Sequence, residues 1–400
     1  MLEKTQFEIR IQSVSLIIFI SFIGSVFLCY FQGAYLGNNF PDNTFLFMPN
    51  DAFNDFFNVM KQIVANKPYD NELAIGYGPL VLLVLNLFKF TPKIWLLGFC
   101  YLLFTLSQFL QIRNTYKLKS ESIFTKPFEL FSLVFLIYPY LLILDRGNIE
   151  MFTAILFSAV VFSLQKNRYF AVAILIAIMA SIKIYFCLLF FMFTLGKQYR
   201  YFTIGILSFL LINLVSYFFV AVWTDLGFFE VISQHIKALT MYSSTSTISK
   251  ALFMNHTFGA LISNITAQIQ PVVNDSIINL YRLSSPIVGL ILIAFSHKRN
   301  LPNWAQLFIL VGVMVMFPLI SFDYTLINFF FPMVLFLNFK GRERYDKIIA
   351  ICFGLLLSTI PYLLKIKGVY IAPIVYIGSF LTISYLVLFK RNTSRLQSGS

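Results

Sequence analysis

Long apolar runs recur from one end of this chain to the other, and they constrain its fold more than any other feature of the sequence. Runs of about 17–25 apolar residues match the length an α-helix needs to cross a bilayer. No water reaches the hydrocarbon core to satisfy backbone N–H and C=O groups, so a spanning chain folds as helices or as a closed barrel. Uninterrupted runs without period-two alternation select helices. Composition agrees. Of 400 residues, 58% are hydrophobic and 12% are charged, against about 25% charged in a soluble domain. With no long hydrophilic block, the expected architecture is an all-α polytopic membrane protein, a single domain over 1–400.

Spans are expected at about 13–32, 93–112, 128–144, 150–165, 201–222, 277–296, 303–320, 326–339, 347–364 and 370–389. The stretch 169–196 is apolar except for Lys183. It reads as one long helix with a buried lysine or as two helices meeting at Lys183, and the basic residues Lys197 and Arg200 beyond it favour the pair. The total is about eleven to twelve transmembrane helices. Residues 77–90 are too short for a full span and read as a re-entrant or interfacial helix. The first run lacks a small-residue cleavage site and reads as a membrane helix, not a removed signal.

Charge placement sets the expected topology. Arg113, Lys117, Lys119, Lys126 and the other basic turns fall on one side, whose excess accounts for the whole net charge of +13 and leaves the other side balanced. By the positive-inside rule that side is cytoplasmic and holds both termini. The loops 33–76 and 223–276 then lie outside. A bacterial cytoplasmic membrane with these loops on the periplasmic or extracellular side is the expected location, and no nucleic-acid partner is needed to explain the charge. Cys29, Cys100, Cys187 and Cys352 sit in or beside apolar runs without metal-ligand spacing, so no metal or other cofactor is expected.

Within the first outer loop, Phe53, Phe56, Phe57, Met60, Ile63 and Val64 repeat at helical spacing. Asp51, Asn54, Asp55, Asn58, Lys61 and Gln62 repeat on the opposite face. This predicts an amphipathic helix with Asp51 and Asp55 one turn apart on its wet side. Beside long apolar spans such a helix is expected to lie along the membrane interface. The two carboxylates either meet a lipid headgroup there or are simply solvated.

Other polar residues collect on the same side. Lys183 either pairs with Asp145 or Glu150 and only holds helices together, or meets an anion such as a lipid phosphate. The turn D-R-G-N-I-E at 145–150 is either a capped turn bending at Gly147, or presents Arg146 and Asn148 to that anion. Tyr77, before the helix start G-P-L, is core or lines a substrate groove. His256 is a satisfied loop histidine or a functional one, in an outer loop that also carries Asp225, Glu230, His235 and Lys237.

Several short motifs carry a resemblance. These are D-F-F-N-V-M from Asp55, N-K-P-Y at 66–69, Y-G-P-L at 77–80, R-G-N-I-E at 146–150, A-S-I-K-I-Y at 180–185 and N-H-T-F-G at 255–259. In order and spacing they resemble the polyprenyl-phosphate-sugar-dependent glycosyltransferases of the GT-C superfamily, most closely glycosyltransferase family 87, whose members include mannosyltransferases acting on phosphatidylinositol mannosides. The chain departs from the family in having one proline after Tyr77, where two are common, and in lacking a proline shortly after Lys183.

The resemblance implies a GT-C-type bundle that moves a hexose, mannose or glucose-like, from a polyprenyl-phosphate donor to a glycolipid or surface-glycan acceptor with inversion. It implies Asp55, or Asp51, as general base in the first outer loop, and Lys183 supported by Arg146 at the donor phosphate. Asn148, Glu150, Tyr77 and His256 would contact substrate. Two other classes compete. A polysaccharide polymerase or ligase would use a lipid diphosphate donor and arginine-rich outer loops, but the clearly outer arginines here are Arg146 and Arg282. A secondary transporter would show paired broken helices at mid-membrane.

Overall fold

The structure, a computed structural model, describes residues 2–67, 69, 77–118, 126–242, 254–267, 271–299, 301–339, 345–361, 363–366 and 368–390. The basic residue Lys119, Pro68 of the N-K-P-Y motif and the Ser/Thr-rich stretch 243–249 lie outside the described residues. The α-helices are α1 (Leu2–Ala34), α2 (Asn54–Val64), α3 (Pro79–Asn86), α4 (Lys93–Leu118), α5 (Pro127–Phe135), α6 (Tyr138–Arg146), α7 (Glu150–Gln165), α8 (Tyr169–Ile182) and α9 (Phe191–Leu195). There follow α10 (Tyr199–Thr224), α11 (Phe228–Tyr242), α12 (Phe258–Ala267), α13 (Pro271–His297), α14 (Asn303–Met316), α15 (Phe330–Asn338), α16 (Asp346–Leu356) and α17 (Ile371–Tyr385). The described strands are β1 (Lys365–Ile366) and β2 (Val369–Tyr370), a small antiparallel hairpin.

Within the described residues, the segments Thr5–Ala34, Lys93–Tyr116, Tyr199–Thr224, Ser276–His297 and Ile371–Lys390 are long and apolar enough to cross a membrane, and the bent pair α5–α6 makes a sixth if counted as one span. The chain is therefore an all-α, multi-pass membrane protein. Fewer helices span by length than the eleven to twelve expected, because several apolar runs fold into shorter or broken pieces. At about 1.5 Å per residue the 14–16-residue helices α7, α8 and α14 fall short of a hydrocarbon core about 30 Å thick.

Those short helices form the middle of the bundle. From Leu307 to Met316, α14 is buried all round, with α15 and the Asp323–Phe329 3₁₀ helix beside it. A helix apolar on every face must be enclosed by others. The long helices show the reverse pattern. Leu207, Leu211, Leu214 and Val222 of α10, and Leu280, Leu283, Ile287 and Ile291 of α13, are exposed. Contiguous exposed apolar surface of this kind is the face offered to lipid.

Prolines explain where the expected spans break. The run 128–144 is not one helix: α5 and α6 meet at 47°. Pro139 at the start of α6 has no N–H to continue the α5 ladder. The Tyr138 N–H turns instead to the Leu357 carbonyl at 2.9 Å. The run 303–320 stops at Met316, just before Pro318, which leaves 317–322 as an irregular segment. In 169–196 the chain takes the paired arrangement: α8 ends at Ile182, Lys183 is extended, and a 3₁₀ helix Ile184–Phe190 leads into α9. Residues 77–90 contain only the eight-residue α3, short as expected.

Helix α11 carries a buried histidine. His235 Nδ1 is 2.6 Å from the Tyr217 hydroxyl, and its ring stacks on Tyr69 with centroids 4.6 Å apart. Burial lowers its pKa from 6.5 to about 4. Above about pH 6.5 the imidazole is neutral folded or unfolded. Between 6.5 and 4 only the unfolded chain takes up the proton, so stability falls as pH falls, by up to about 3 kcal/mol. The melting midpoint in detergent is expected to drop between pH 7.5 and pH 5, and to drop less in His235→Gln. An equal drop in both would show that another group titrates.

Candidate active site

One cavity of about 440 Å³ is lined by Phe47, α2, Tyr77 just ahead of α3, the α6–α7 turn, the Lys183 junction, α11, α14 and the segment 318–325. Asp55 stands in the first turn of α2. Its Oδ1 accepts from Arg146 Nη2 at 2.6 Å and Nε at 3.1 Å, and its Oδ2 accepts from Asn148 Nδ2 at 2.5 Å. Arg146 ends α6 and lies 4.4 Å over the Phe47 ring.

Gly147 sits in the left-handed region at φ 63°, and a Cβ there would be 3.0 Å from Phe56 Cβ. The glycine both caps α6 and lets α2 come close. Asn148 Oδ1 accepts the Glu150 N–H at 2.9 Å and so caps the start of α7. The D-R-G-N-I-E turn thus serves as a capped turn and as a clamp, although the anion it holds is the protein's own Asp55.

The expected helix is real but shorter and differently placed. Phe53 adopts φ 60° and gives its N–H to the Asp145 carbonyl at 2.7 Å, so α2 begins only at Asn54. Asp51 therefore belongs to a separate 3₁₀ turn, Pro49–Asp51, and does not share a helical face with Asp55. It bonds Asn54 Nδ2 at 2.9 Å and approaches Arg146 Nη1 at 3.8 Å. The apolar face of α2 is not laid against lipid. Phe56, Met60 and Ile63 are fully buried, and the helix packs on α3, α4 and α6. Asp55 consequently points into protein, with a side chain 17% exposed.

Lys183 lies at the other end of the cavity wall. Its Nζ is 2.5 Å from Glu150 Oε2, and Glu150 is 0% exposed. Tyr185 donates to both Glu150 oxygens at 2.6 and 2.9 Å, and Asn328 Nδ2 donates to Oε1 at 2.9 Å. The Lys183 ammonium also faces the rings of Tyr77, Tyr324 and Tyr185 at 5.4, 5.5 and 5.8 Å. Of the two partners the sequence offered, Lys183 takes Glu150, and it also lines the cavity.

The remaining candidates divide. Asp55, Arg146, Lys183 and Tyr77 line the cavity; Asn148 and Glu150 are buried behind that wall. Asp51 is off the wall. His256 does not line the cavity: it is 0% exposed, with Nδ1 3.1 Å from Asp323 Oδ1. The contribution of N-H-T-F-G comes through Asn255, which takes the Ser321 N–H at 3.1 Å and donates to the Leu319 carbonyl at 3.1 Å. These bonds hold one edge of the cavity in place. The rest of the wall mixes apolar residues, among them Val59, Ile184, Leu239, Met314 and Ile320, with the polar Asn58, Ser321 and Thr325.

The model of glycosyltransferase family 87 matches residues 75–321, more than half of the chain. The chain belongs to glycosyltransferase family 87. No curated protein and no solved structure matches it. A family 87 glycosyltransferase moves a sugar from a donor to an acceptor. The matched range takes in Tyr77, Arg146, Asn148, Glu150, Lys183 and His256. It stops short of Asp51 and Asp55 on one side and of Tyr324 and Asn328 on the other. In this glycosyltransferase the residues missed by sequence reading are Tyr185, Tyr324 and Asn328. Their signal was faint: polar groups inside apolar runs, unremarkable one at a time.

Gly78 shows how tightly this wall is built. Its N–H bonds the Ile182 carbonyl at 2.8 Å, and a Cβ would fall 2.0 Å from the Ser181 carbonyl oxygen. Gly78→Ala in the glycosyltransferase is expected to push α3 off the end of α8, displacing Tyr77 and Lys183 together. Stability should fall by about 1–3 kcal/mol, read as a lower melting midpoint with loss of transfer. A variant with wild-type midpoint and transfer would refute the contact.

Proposed function

We propose that this family 87 enzyme is an inverting hexosyltransferase. It takes a mannose- or glucose-like sugar from a polyprenyl-phosphate donor to a hydroxyl of a glycolipid or surface-glycan acceptor. The observation that supports this is that one cavity is lined by a carboxylate, Asp55, and two fixed cations, Arg146 and Lys183. The chain forms a single GT-C-type domain over 1–400, in a bacterial cytoplasmic membrane with both termini cytoplasmic and the cavity on the outer side.

In this reading Asp55 takes the acceptor hydroxyl proton as the oxygen bonds to the anomeric carbon from the face opposite the phosphate. The carbon–oxygen bond to phosphate breaks, and its electron pair leaves on the lipid phosphate. Lys183 and Arg146 meet that growing charge in a low-dielectric setting, where fixed charges act strongly. A carboxylate has about four lone-pair sites. Arg146 and Asn148 fill three at Asp55, which leaves one on Oδ2 for the acceptor proton. Asp51, half-exposed and off the wall, is the alternative base. One carboxylate suffices for inversion.

Membranes containing the protein, given polyprenyl-phosphoryl-mannose or -glucose labelled in the sugar together with cell lipid extract, should transfer label to a new product with inverted anomeric configuration. If no label leaves these donors, the reading fails. Consumption of diphosphate-linked donors would then favour a polymerase or ligase, and uptake of free sugar a transporter.

A further inference from the structure

Among the described residues, the polar side chains of the cavity wall are held by the protein itself, with one exception. Asp55 is bonded to Arg146 and Asn148, and Lys183 and Tyr185 are bonded to Glu150. The Ser321 and Thr325 hydroxyls are bonded to each other at 2.7 Å. Tyr77 and Tyr324 turn their rings to the Lys183 ammonium at 5.4 and 5.5 Å. Asn58 lines the same cavity and makes no hydrogen bond to any described residue. It is half-buried and stands three residues after Asp55 in α2, on the face that both present to the cavity. Residues so spaced on a helix have Cβ atoms about 5–6 Å apart. An amide with donor and acceptor both open thus sits one turn from the proposed base.

Such an amide is matched by a group that both accepts and donates. A hydroxyl does both, whereas a phosphate or carboxylate oxygen only accepts and would leave the amide oxygen empty. We propose that Asn58 holds a second hydroxyl of the acceptor, on the carbon next to the one attacked, and so chooses which hydroxyl receives the sugar. This rests on the function proposed above and names the residue that fixes its regiochemistry. In that displacement the acceptor comes from the side of the base and the phosphate leaves on the opposite side. Asn58 shares α2 with the base, and Lys183 stands at the far end of the wall, so the amide falls on the acceptor's side. Asp55 takes the proton of one hydroxyl while Asn58 grips its neighbour, which gives the acceptor ring two fixed points. A hydroxyl without such a neighbour leaves the amide unpaired in the occupied site, and that counts against it. The acceptor group is therefore a vicinal diol of a sugar or polyol ring, not an isolated alcohol.

The test uses the full chain in membranes, with polyprenyl-phosphoryl-mannose or -glucose labelled in the sugar and cell lipid extract titrated as acceptor. Linkage analysis of the wild-type product should find the new sugar at one ring position, beside a carbon with a free hydroxyl. Asn58→Leu, close in size but without polar atoms, should raise the extract needed for half-saturation about tenfold, the worth of one hydrogen bond. Donor KM should not change, and a second linkage isomer should appear. Asn58→Ala should do the same, and serves alone if Asn58→Leu does not fold. A lower melting midpoint and kcat with a single linkage would mean a structural role, and overturns the proposal. Wild-type half-saturation and linkage in the folded variants also overturn it and leave the proposed function intact. So does a rise in donor KM alone, which puts Asn58 on the donor sugar, and so does a wild-type product linked to an isolated hydroxyl. Absence of transfer by the wild type from either donor overturns the proposed function, and this proposal with it.

Discussion

Asp55→Asn is expected to lower sugar transfer by about 10²–10⁴-fold, the usual worth of a general base, while the protein still folds. Asparagine has the same size and keeps one oxygen for Arg146, so the α2–α6 contact survives in weakened form. The rival explanation is that Asp55 only holds Arg146 at the phosphate. Kinetics separate the two. Loss of a base lowers kcat with little change in donor KM, whereas a misplaced Arg146 raises donor KM. Asp51→Asn is the companion measurement and should cost less than about tenfold, because Asp51 is half-exposed and outside the cavity lining. Near-normal transfer by the Asp55 variant would move the base elsewhere.

The second large effect concerns Lys183. Removing its charge in Lys183→Met strands the Glu150 carboxylate, which has no route to water. Breaking one side of a buried pair costs about 3–5 kcal/mol, because the remaining charge is left uncompensated. The single variant should therefore lose both stability and transfer. The double variant Lys183→Met/Glu150→Gln removes the stranded charge and should recover most of the stability. Transfer should not recover, since the leaving phosphate still lacks its cation. If the double variant transfers sugar, Lys183 is only a structural partner of Glu150.

The helical, membrane-spanning class was legible because apolar length is a property of whole segments. So was the junction at Lys183, which stands as the single charge in a long apolar stretch. Two kinds of feature were not legible. One is the local break. The left-handed Phe53 takes Asp51 off the α2 face, and nothing in the periodicity of 51–64 forbids the longer helix; the break is set by the Asp145 carbonyl, far along the chain. The other is the identity of partners. The sequence offered Asp145 or Glu150 for Lys183 and gave no means of choosing. The choice is made by the depth at which α7 begins, with Asn328 and Tyr185 waiting beside Glu150. Asn255 likewise looks like a loop residue until its bonds to 319–321 are seen.

The clamp on Asp55 also has a meaning for biosynthesis. Its partners lie 91 and 93 positions further along the chain, and the Asn328 contact to Glu150 closes over 178. A chain emerging from the ribosome carries the carboxylate long before Arg146 exists. The segment between α1 and α3 must wait, its Asp55 without Arg146, until α6 has been made. The cavity is finished later still, when 318–328 arrives to seal the side beneath Lys183. Contacts of such long range are slow to form, so assembly of the site comes near the end of folding. A chain halted after α9 would present the clamp without the far wall.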